Sequence, residues 1–144
     1  MLRTQNPIPP SPALATAAGT KPRITESLVL DWKDLKSEPR PNGERRDAFD
    51  GPTGSLANFE CHVTTLNPGE GSVPHTHDTP VPTEEAILLK AGTLEVSVNG
   101  VKKTVGAGAV IYFAPKDLTG VKNPGKVPAV YFVVSAQAAA AAAK

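Results

Sequence analysis

The part of the sequence from Leu56 to Val134 consists of short segments of alternating polarity separated by turn residues. In Thr93–Val98, apolar and polar residues alternate strictly, and a second segment, Val101–Val105, follows directly after Asn99 and Gly100. Alternation with a period of two is typical of strands that bury one face. Asn-Gly between two such segments favours a two-residue hairpin turn.

The same reasoning predicts at least six strands and no amphipathic helix. Strands at hairpin spacing favour an all-β protein, either an antiparallel sandwich or a barrel closed on itself. The predicted strands are Leu56–Leu66, Ala86–Leu89, Thr93–Val98, Val101–Val105, Val110–Phe113 and Val127–Val134.

The N-terminal part differs in kind, because eight of the 15 prolines lie within the first 54 residues. We expect residues 1–24 to be disordered or extended and residues 25–135 to form one barrel domain with a docking arm. Within that arm, the apolar cluster Ser27–Trp32 is predicted to dock as a short strand, and the charged run Arg40–Asp47 is predicted to be a solvated loop. Residues 136–144 form an Ala-rich tail.

Composition excludes several functional classes. The 15 basic and 14 acidic residues give a net charge of +1, and no run of Lys or Arg exceeds two, so nucleic acid is not an expected partner. No apolar stretch approaches the roughly 20 residues of a membrane-spanning helix.

The single cysteine fits a reducing compartment, which favours a cytoplasmic location. The small residues of Ala13–Ala18 leave a periplasmic or secreted location open if an export signal has been lost.

Two of the three histidines, His75 and His77, are separated by one residue, so on a strand both rings would project from one face. Glu85 opens a segment on which Ile87 and Leu89 share its face. A carboxylate in an apolar row is costly to bury unless it is paired or binds a cation. Two histidines and one carboxylate are the facial ligand set of divalent iron, and related sites take manganese, nickel or zinc.

Spacing alone leaves other interpretations open. His75 and His77 would also fit a pair of surface imidazoles, and Glu84 with Glu85 would fit a solvated strand edge. If a carboxylate does bind a metal, Glu84 is an alternative to Glu85.

The sequence resembles the cupin superfamily, and in particular small single-domain bacterial cupins. The first cupin motif is matched by Gly69, His75, His77, Glu85 and Gly92, and the second by Gly108, Pro115, Gly120 and Asn123. The resemblance implies an antiparallel jelly-roll β-barrel, with an extended N-terminal arm in this chain, and a small-molecule pocket at its centre. It also implies a homodimer. Metal-binding members usually take two His and one Glu from the first motif and one His from the second.

This chain departs from the family pattern at two positions. Seven residues separate His77 from Glu85, which enlarges one loop at the mouth of the barrel. Thr119 occupies the position of the fourth ligand, and a neutral hydroxyl is a weak ligand for a divalent ion. The third histidine, His62, shares a strand face with Glu60 and Thr64 and is interpreted as a polar-face residue.

The sequence therefore predicts a cupin that binds a divalent metal ion (Fe, Mn, Ni or Zn) through His75, His77 and Glu85. A small polar molecule would bind beside the ion, in a mononuclear metalloenzyme of the dioxygenase or isomerase kind. The alternative is a non-catalytic ligand-binding cupin whose metal site is degenerate because of Thr119. No catalytic residue is assigned. The predicted pocket residues are Thr119, Ile87, Leu89, Tyr112 and His62.

Overall fold

The structure, a computed structural model, describes residues 20–140 and is built almost entirely of β-strands. The strands pair antiparallel in two sheets that form a jelly-roll barrel, as the sequence predicts. The strands are β1 (Ser37–Arg40), β2 (Gly43–Gly51), β3 (Leu56–Leu66), β4 (Glu84–Ala91), β5 (Thr93–Val98), β6 (Val101–Gly106), β7 (Val110–Phe113), β8 (Thr119–Lys122) and β9 (Ala129–Ala138).

The larger sheet has the order β1-β2-β3-β9-β4-β7, and the smaller sheet has the order β6-β5-β8. The chain passes from one sheet to the other between β4 and β5, where Gly92 has a φ of +82°. A Cβ atom at this position would lie 2.6 Å from the carbonyl oxygen of Pro128. Only glycine fits this turn, because a side chain would meet both the backbone strain and the steric clash.

The predicted hairpin turn is confirmed. Asn99 and Gly100 have φ values of 49° and 84°, and Val98 pairs directly with Val101. Positive φ at both central residues is the condition for the turn whose twist matches that of the flanking strands.

The hydrophobic core lies between the two sheets and is formed by side chains at alternating strand positions. Ile87 and Leu89 of β4 face the same interior as Tyr131 and Val133 of β9. The buried cluster consists of Leu66, Ile87, Leu89, Leu94, Val96, Phe113, Val121, Ala129, Tyr131 and Val133.

Asn123 is fully buried after β8 and joins the end of β3 to the loop before β9. Its Nδ2 donates to the carbonyl oxygens of Leu66 and Val127, at 2.9 and 2.8 Å, and its Oδ1 accepts from the amide of Gly125 at 2.9 Å. Every polar atom of the side chain is thus satisfied, which offsets the cost of its burial.

The N-terminal part is more ordered than the sequence predicts. The charged run Arg40–Asp47 was expected to be a solvated loop, but it ends β1 and forms half of β2, which pairs along β3. Its charges are accommodated by pairs on alternating residues: Arg45 contacts Asp47 at 2.8 Å and Arg46 contacts Glu44 at 2.7 Å. Backbone pairing with β3 therefore outweighs the low strand propensity of the run.

The prediction that Ser27–Trp32 docks as a strand is wrong. No strand forms there, and Trp32–Asp34 is a single 3-10 turn. Trp32 packs on the outer face of the larger sheet, with its ring 6.4 Å from that of Phe132 and with Lys90 Nζ 3.6 Å from its centroid.

At the other end of the chain, β9 continues to Ala138, so the first residues of the predicted tail belong to the barrel. The structural expectations for residues 1–19 and 141–144 lie outside the described residues. Between residues 20 and 140, no helix has the length and apolar character needed to cross a membrane.

Candidate metal centre

His75 lies beside β8, held by paired backbone hydrogen bonds. Its amide donates to the Thr119 carbonyl at 3.0 Å, and the Thr119 amide donates back at 2.9 Å. The bridge is isolated, so the His75–His77 segment is not a regular strand. The two imidazole rings nevertheless lie together, with centroids 4.6 Å apart, and both line one cavity.

A side-chain hydrogen bond of His75 determines which ring nitrogen is available to bind a metal ion. Nδ1 lies 2.9 Å from the carbonyl oxygen of Val73, which can only accept, so we assign the proton to Nδ1. In the neutral ring, Nε2 then carries the lone pair. Metal-binding histidines are commonly oriented in this way, with the second nitrogen donating to a carbonyl.

His77 and Glu85 face each other across the cavity wall. His77 Nε2 lies 3.4 Å from Glu85 Oε2, and each side chain is 17% exposed. This separation is too long for a good hydrogen bond. Two ligand atoms that each lie about 2.1 Å from one ion are separated by about 3.0 to 3.4 Å. The spacing therefore suits two ligands of a shared ion.

The structure distinguishes the two adjacent carboxylates. Glu85 lines the cavity, whereas Glu84 is exposed and accepts a hydrogen bond from the Tyr112 hydroxyl at 3.1 Å. Because successive residues of a strand point to opposite faces, only one of the pair can face the interior. Glu85 is the carboxylate that the barrel presents to the histidines.

The positive charge near Glu85 does not fully offset the effect of its burial. Burial raises the pKa of Glu85, and the neighbouring His77 opposes this effect most strongly. Removal from water disfavours the charged form, and a nearby cation would favour it. A divalent ion at this position would supply that charge.

The cavity between the sheets has a volume of about 160 Å³. Of the predicted pocket residues, His62, Ile87 and Thr119 line it. The other two do not: Leu89 is buried in the core beyond the cavity, and Tyr112 lies on the exposed face of β7. The lining residues are His62, Thr64, Ser72, His75, His77, Glu85, Ile87, Phe113, Thr119, Gly120, Val121, Tyr131 and Val133.

One polar pair in the interior was not predicted from the sequence. His62 Nδ1 makes a short contact with Glu60 Oε1, and the side chains are only 14% and 12% exposed. The signal was present, because Glu60 and His62 are two residues apart on β3 and so share its inner face. His62 is one of the predicted pocket residues, but the sequence does not reveal that Glu60 contacts its ring there.

Within residues 20–140, no three His, Cys, Asp or Glu side chains lie close enough to form a complete metal site. The donors nevertheless fit a divalent ion in chemical type, since neutral imidazole and carboxylate are common ligands of iron, manganese, nickel and zinc. In the same range, His77 Nδ1 is buried without a hydrogen-bond partner. An ion held between His77 Nε2 and Glu85 Oε2 would not contact this nitrogen, so the fit rests on the donor types and on the 3.4 Å Nε2–Oε2 spacing.

The sequence of this chain matches a known protein family. The model of the Cupin domain family (Cupin_2) matches residues 62–135, which is just over half of the sequence. The chain belongs to the cupin domain family. No curated protein matches the sequence significantly.

Solved structures support the same fold. An RmlC-like cupin from Shewanella frigidimarina is 16% identical with a TM-score of 0.62, and the match covers 81% of this chain and 95% of that one. KdgF from Halomonas sp. is 14% identical with a TM-score of 0.64, covering 76% and 94% of the two chains. A predicted oxalate decarboxylase from Thermotoga maritima is 17% identical with a TM-score of 0.61, covering 76% and 99%. At these identities the likeness shows the cupin fold alone.

Proposed function

We propose that this cupin binds one divalent metal ion through His75, His77 and Glu85, and that a small oxygen-rich molecule binds beside the ion. The observation that carries the proposal is the 3.4 Å separation of His77 Nε2 and Glu85 Oε2, inside a cavity that His75 also lines. The hydrogen bond from His75 Nδ1 to Val73 adds support, because it leaves Nε2 available.

The cavity residues have distinct tasks in this proposal. When bound, a divalent ion polarises a ligand oxygen or lowers the pKa of a bound water. The apolar side chains of Ile87, Phe113 and Val133 exclude bulk water from one side of the cavity, which strengthens electrostatic interactions there. Such a site fits the catalysis of reactions in which negative charge develops on an oxygen atom. The similarity in fold to a predicted oxalate decarboxylase is consistent with an enzyme.

The ligand set is tested by titrating the metal-free protein with Mn²⁺ or Zn²⁺ in a calorimeter. We expect one ion per chain, and we expect His75→Ala, His77→Ala and Glu85→Gln each to weaken binding by about 100-fold or more. Loss of a direct ligand should exceed the roughly 10- to 100-fold effect of removing an outer hydrogen-bond partner.

Glu84→Gln is the matched control, since it removes the neighbouring carboxylate on the opposite face of β4. Its metal affinity should equal that of the wild type. Equal losses in Glu84→Gln and Glu85→Gln would contradict the proposed ligand set.

The second candidate is a ligand-binding cupin without catalysis, and Thr119 is the observation that favours it. Thr119 is buried against the cavity, and its Oγ1 lies 3.5 Å from the carbonyl oxygen of His75. A neutral hydroxyl in this position adds little to metal affinity. Thr119→His distinguishes the candidates: a degenerate site gains affinity for Zn²⁺ steeply, whereas a site completed by water changes little.

A further inference from the structure

The proposed metal ligands leave the partly buried pair of Glu60 and His62 without a role. We propose that His62, held in place by Glu60, binds a second oxygen of the ligand at the far side of the cavity. The ligand would then be a short α-hydroxy or α-keto acid that carries one further hydroxyl or carbonyl oxygen. The chelating end of this ligand rests on the proposed function, whereas the contact with His62 does not.

Strand register places the pair at a definite distance from the proposed metal ligands. Glu60 pairs with Ser135, and Ser135 pairs in turn with Glu85 on the next strand. Two strand spacings separate the backbones of Glu60 and Glu85 by about 10 Å. His62 lies two residues further along the same inner face and pairs with Val133. Val133 of β9 thus lies between His62 and Ile87, and Ser135 lies between Glu60 and Glu85.

Glu60 is fixed by three partners on three different strands. Its Oε1 accepts from Arg45 Nη2 at 3.0 Å and contacts His62 Nδ1, and its Oε2 accepts from Ser135 Oγ at 3.0 Å. Arg45 is held in turn by Asp47 at 2.8 Å. A carboxylate fixed in this way can only accept from His62, so it sets the orientation of the imidazole ring.

The other ring nitrogen of His62 is the group available to a ligand. The hydrogen bonds within residues 20–140 engage Nδ1 and leave Nε2 without a protein partner, and His62 lines the cavity. Thr64 and Tyr131, which pair across β3 and β9, bring two hydroxyl groups to the same wall. Burial raises the pKa of Tyr131 to about 12, so its hydroxyl keeps its proton at neutral pH.

The size of the cavity limits the ligand. Its volume of about 160 Å³ is close to that of an engineered cavity of about 150 Å³ that binds benzene. A molecule of about six or seven non-hydrogen atoms therefore fills it. Glycerate has this size and carries both a chelating α-hydroxy acid and a second hydroxyl group.

Two probes that differ by that hydroxyl test the proposal. Calorimetric titration of the Mn²⁺-loaded protein with glycerate and with lactate compares ligands with the same chelating end. We expect glycerate to bind about tenfold more tightly, which is the effect of one satisfied hydrogen bond. His62→Phe should abolish this preference, because it removes the ring nitrogen that contacts the second hydroxyl group. Glu60→Gln should reduce the preference, because the ring loses its carboxylate partner.

Thr65→Val is the matched control, since Thr65 lies on the opposite face of β3, and it should retain the preference. Equal binding of glycerate and lactate by the wild type would overturn the proposal, as would an unchanged preference in His62→Phe.

A second measurement separates the proposal from the metal site and from folding defects of the variants. In metal-free wild-type protein labelled with ¹⁵N-histidine, glycerate should shift the Nε2 resonance of His62 and lactate should not. If glycerate shifts this resonance but calorimetry finds no Mn²⁺ binding to the wild type, the metal site is refuted and the His62 contact is retained. The absence of a shift would refute that contact even if the metal binds.

Discussion

The interior of the barrel has two ends that share strands β3, β4 and β9 and differ in chemistry. At the apolar end, defined by Leu66, Leu89, Leu94 and Ala129, every side chain is almost completely buried. At the polar end, defined by Glu60, His62, Glu85 and Ser135, charged and polar side chains occupy the continuation of the same inward rows.

The comparison shows that alternation decides only which residues face inward, whereas residue type decides what the interior does. On β4, the inward row runs from Glu85 through Ile87 to Leu89. A carboxylate that leads such a row is costly to bury. The polar end is thus retained at the expense of stability, as is expected of a functional site.

The largest expected effect is the loss of stability when a side chain of the apolar end is shortened. Leu94 at the apolar end is fully buried, so Leu94→Ala should lower the free energy of unfolding by about 2 to 5 kcal/mol. Urea denaturation measures this loss. Leu88→Ala, at an exposed position of β4, is the control and should cost less than about 1 kcal/mol. Equal losses in the two variants would contradict the assignment of the core.

Tyr131 lies between the two ends and should make stability fall at alkaline pH. Its pKa of about 12 in the folded protein exceeds the ordinary value of 10. The folded state therefore binds the phenolic proton more tightly, and the resulting stability is complete below pH 10 and lost as pH rises toward 12. The full loss is roughly 3 kcal/mol. Urea unfolding over this range should show that Tyr131→Phe has a smaller decline than the wild type, and equal declines would refute the assignment.

The smallest expected effect is at the polar end. Burial raises the pKa of Glu85, so its ionised form opposes folding at neutral pH. In metal-free protein, Glu85→Gln should leave stability unchanged or slightly higher, as measured by urea denaturation. A loss above about 1 kcal/mol would show that the carboxylate stabilises the fold, contrary to the interpretation of the polar end as a functional site.

Much of the fold could be predicted, because it depends on local patterns. Short segments between turn residues predict every strand from Leu56 onward except β8, and Asn99-Gly100 specifies its turn. The pattern failed where long-range pairing decides the structure. The charged segment of β2 becomes a strand because β3 supplies its hydrogen bonds, and β8 was missed because its four residues carry no distinctive alternation.

The candidate site could also be predicted in part, because the spacing of its residues along the chain is a local pattern. The spacing of His75, His77 and Glu85 identified three residues that the fold brings to one cavity. Spacing did not indicate how far any side chain extends into the barrel. Tyr112 was placed inside although it lies on the outer face of β7, and the pairing of Glu60 with His62 depends on Arg45 and Ser135 from two other strands.

The metal content of untagged protein, purified without chelators from a medium that supplies Fe, Mn, Ni and Zn, tests the central claim most directly. Mass spectrometry of the native protein should find about one divalent ion per chain, and His77→Ala should contain none while remaining folded. A folded wild-type protein that is free of metal and takes up none of the four ions would contradict the account.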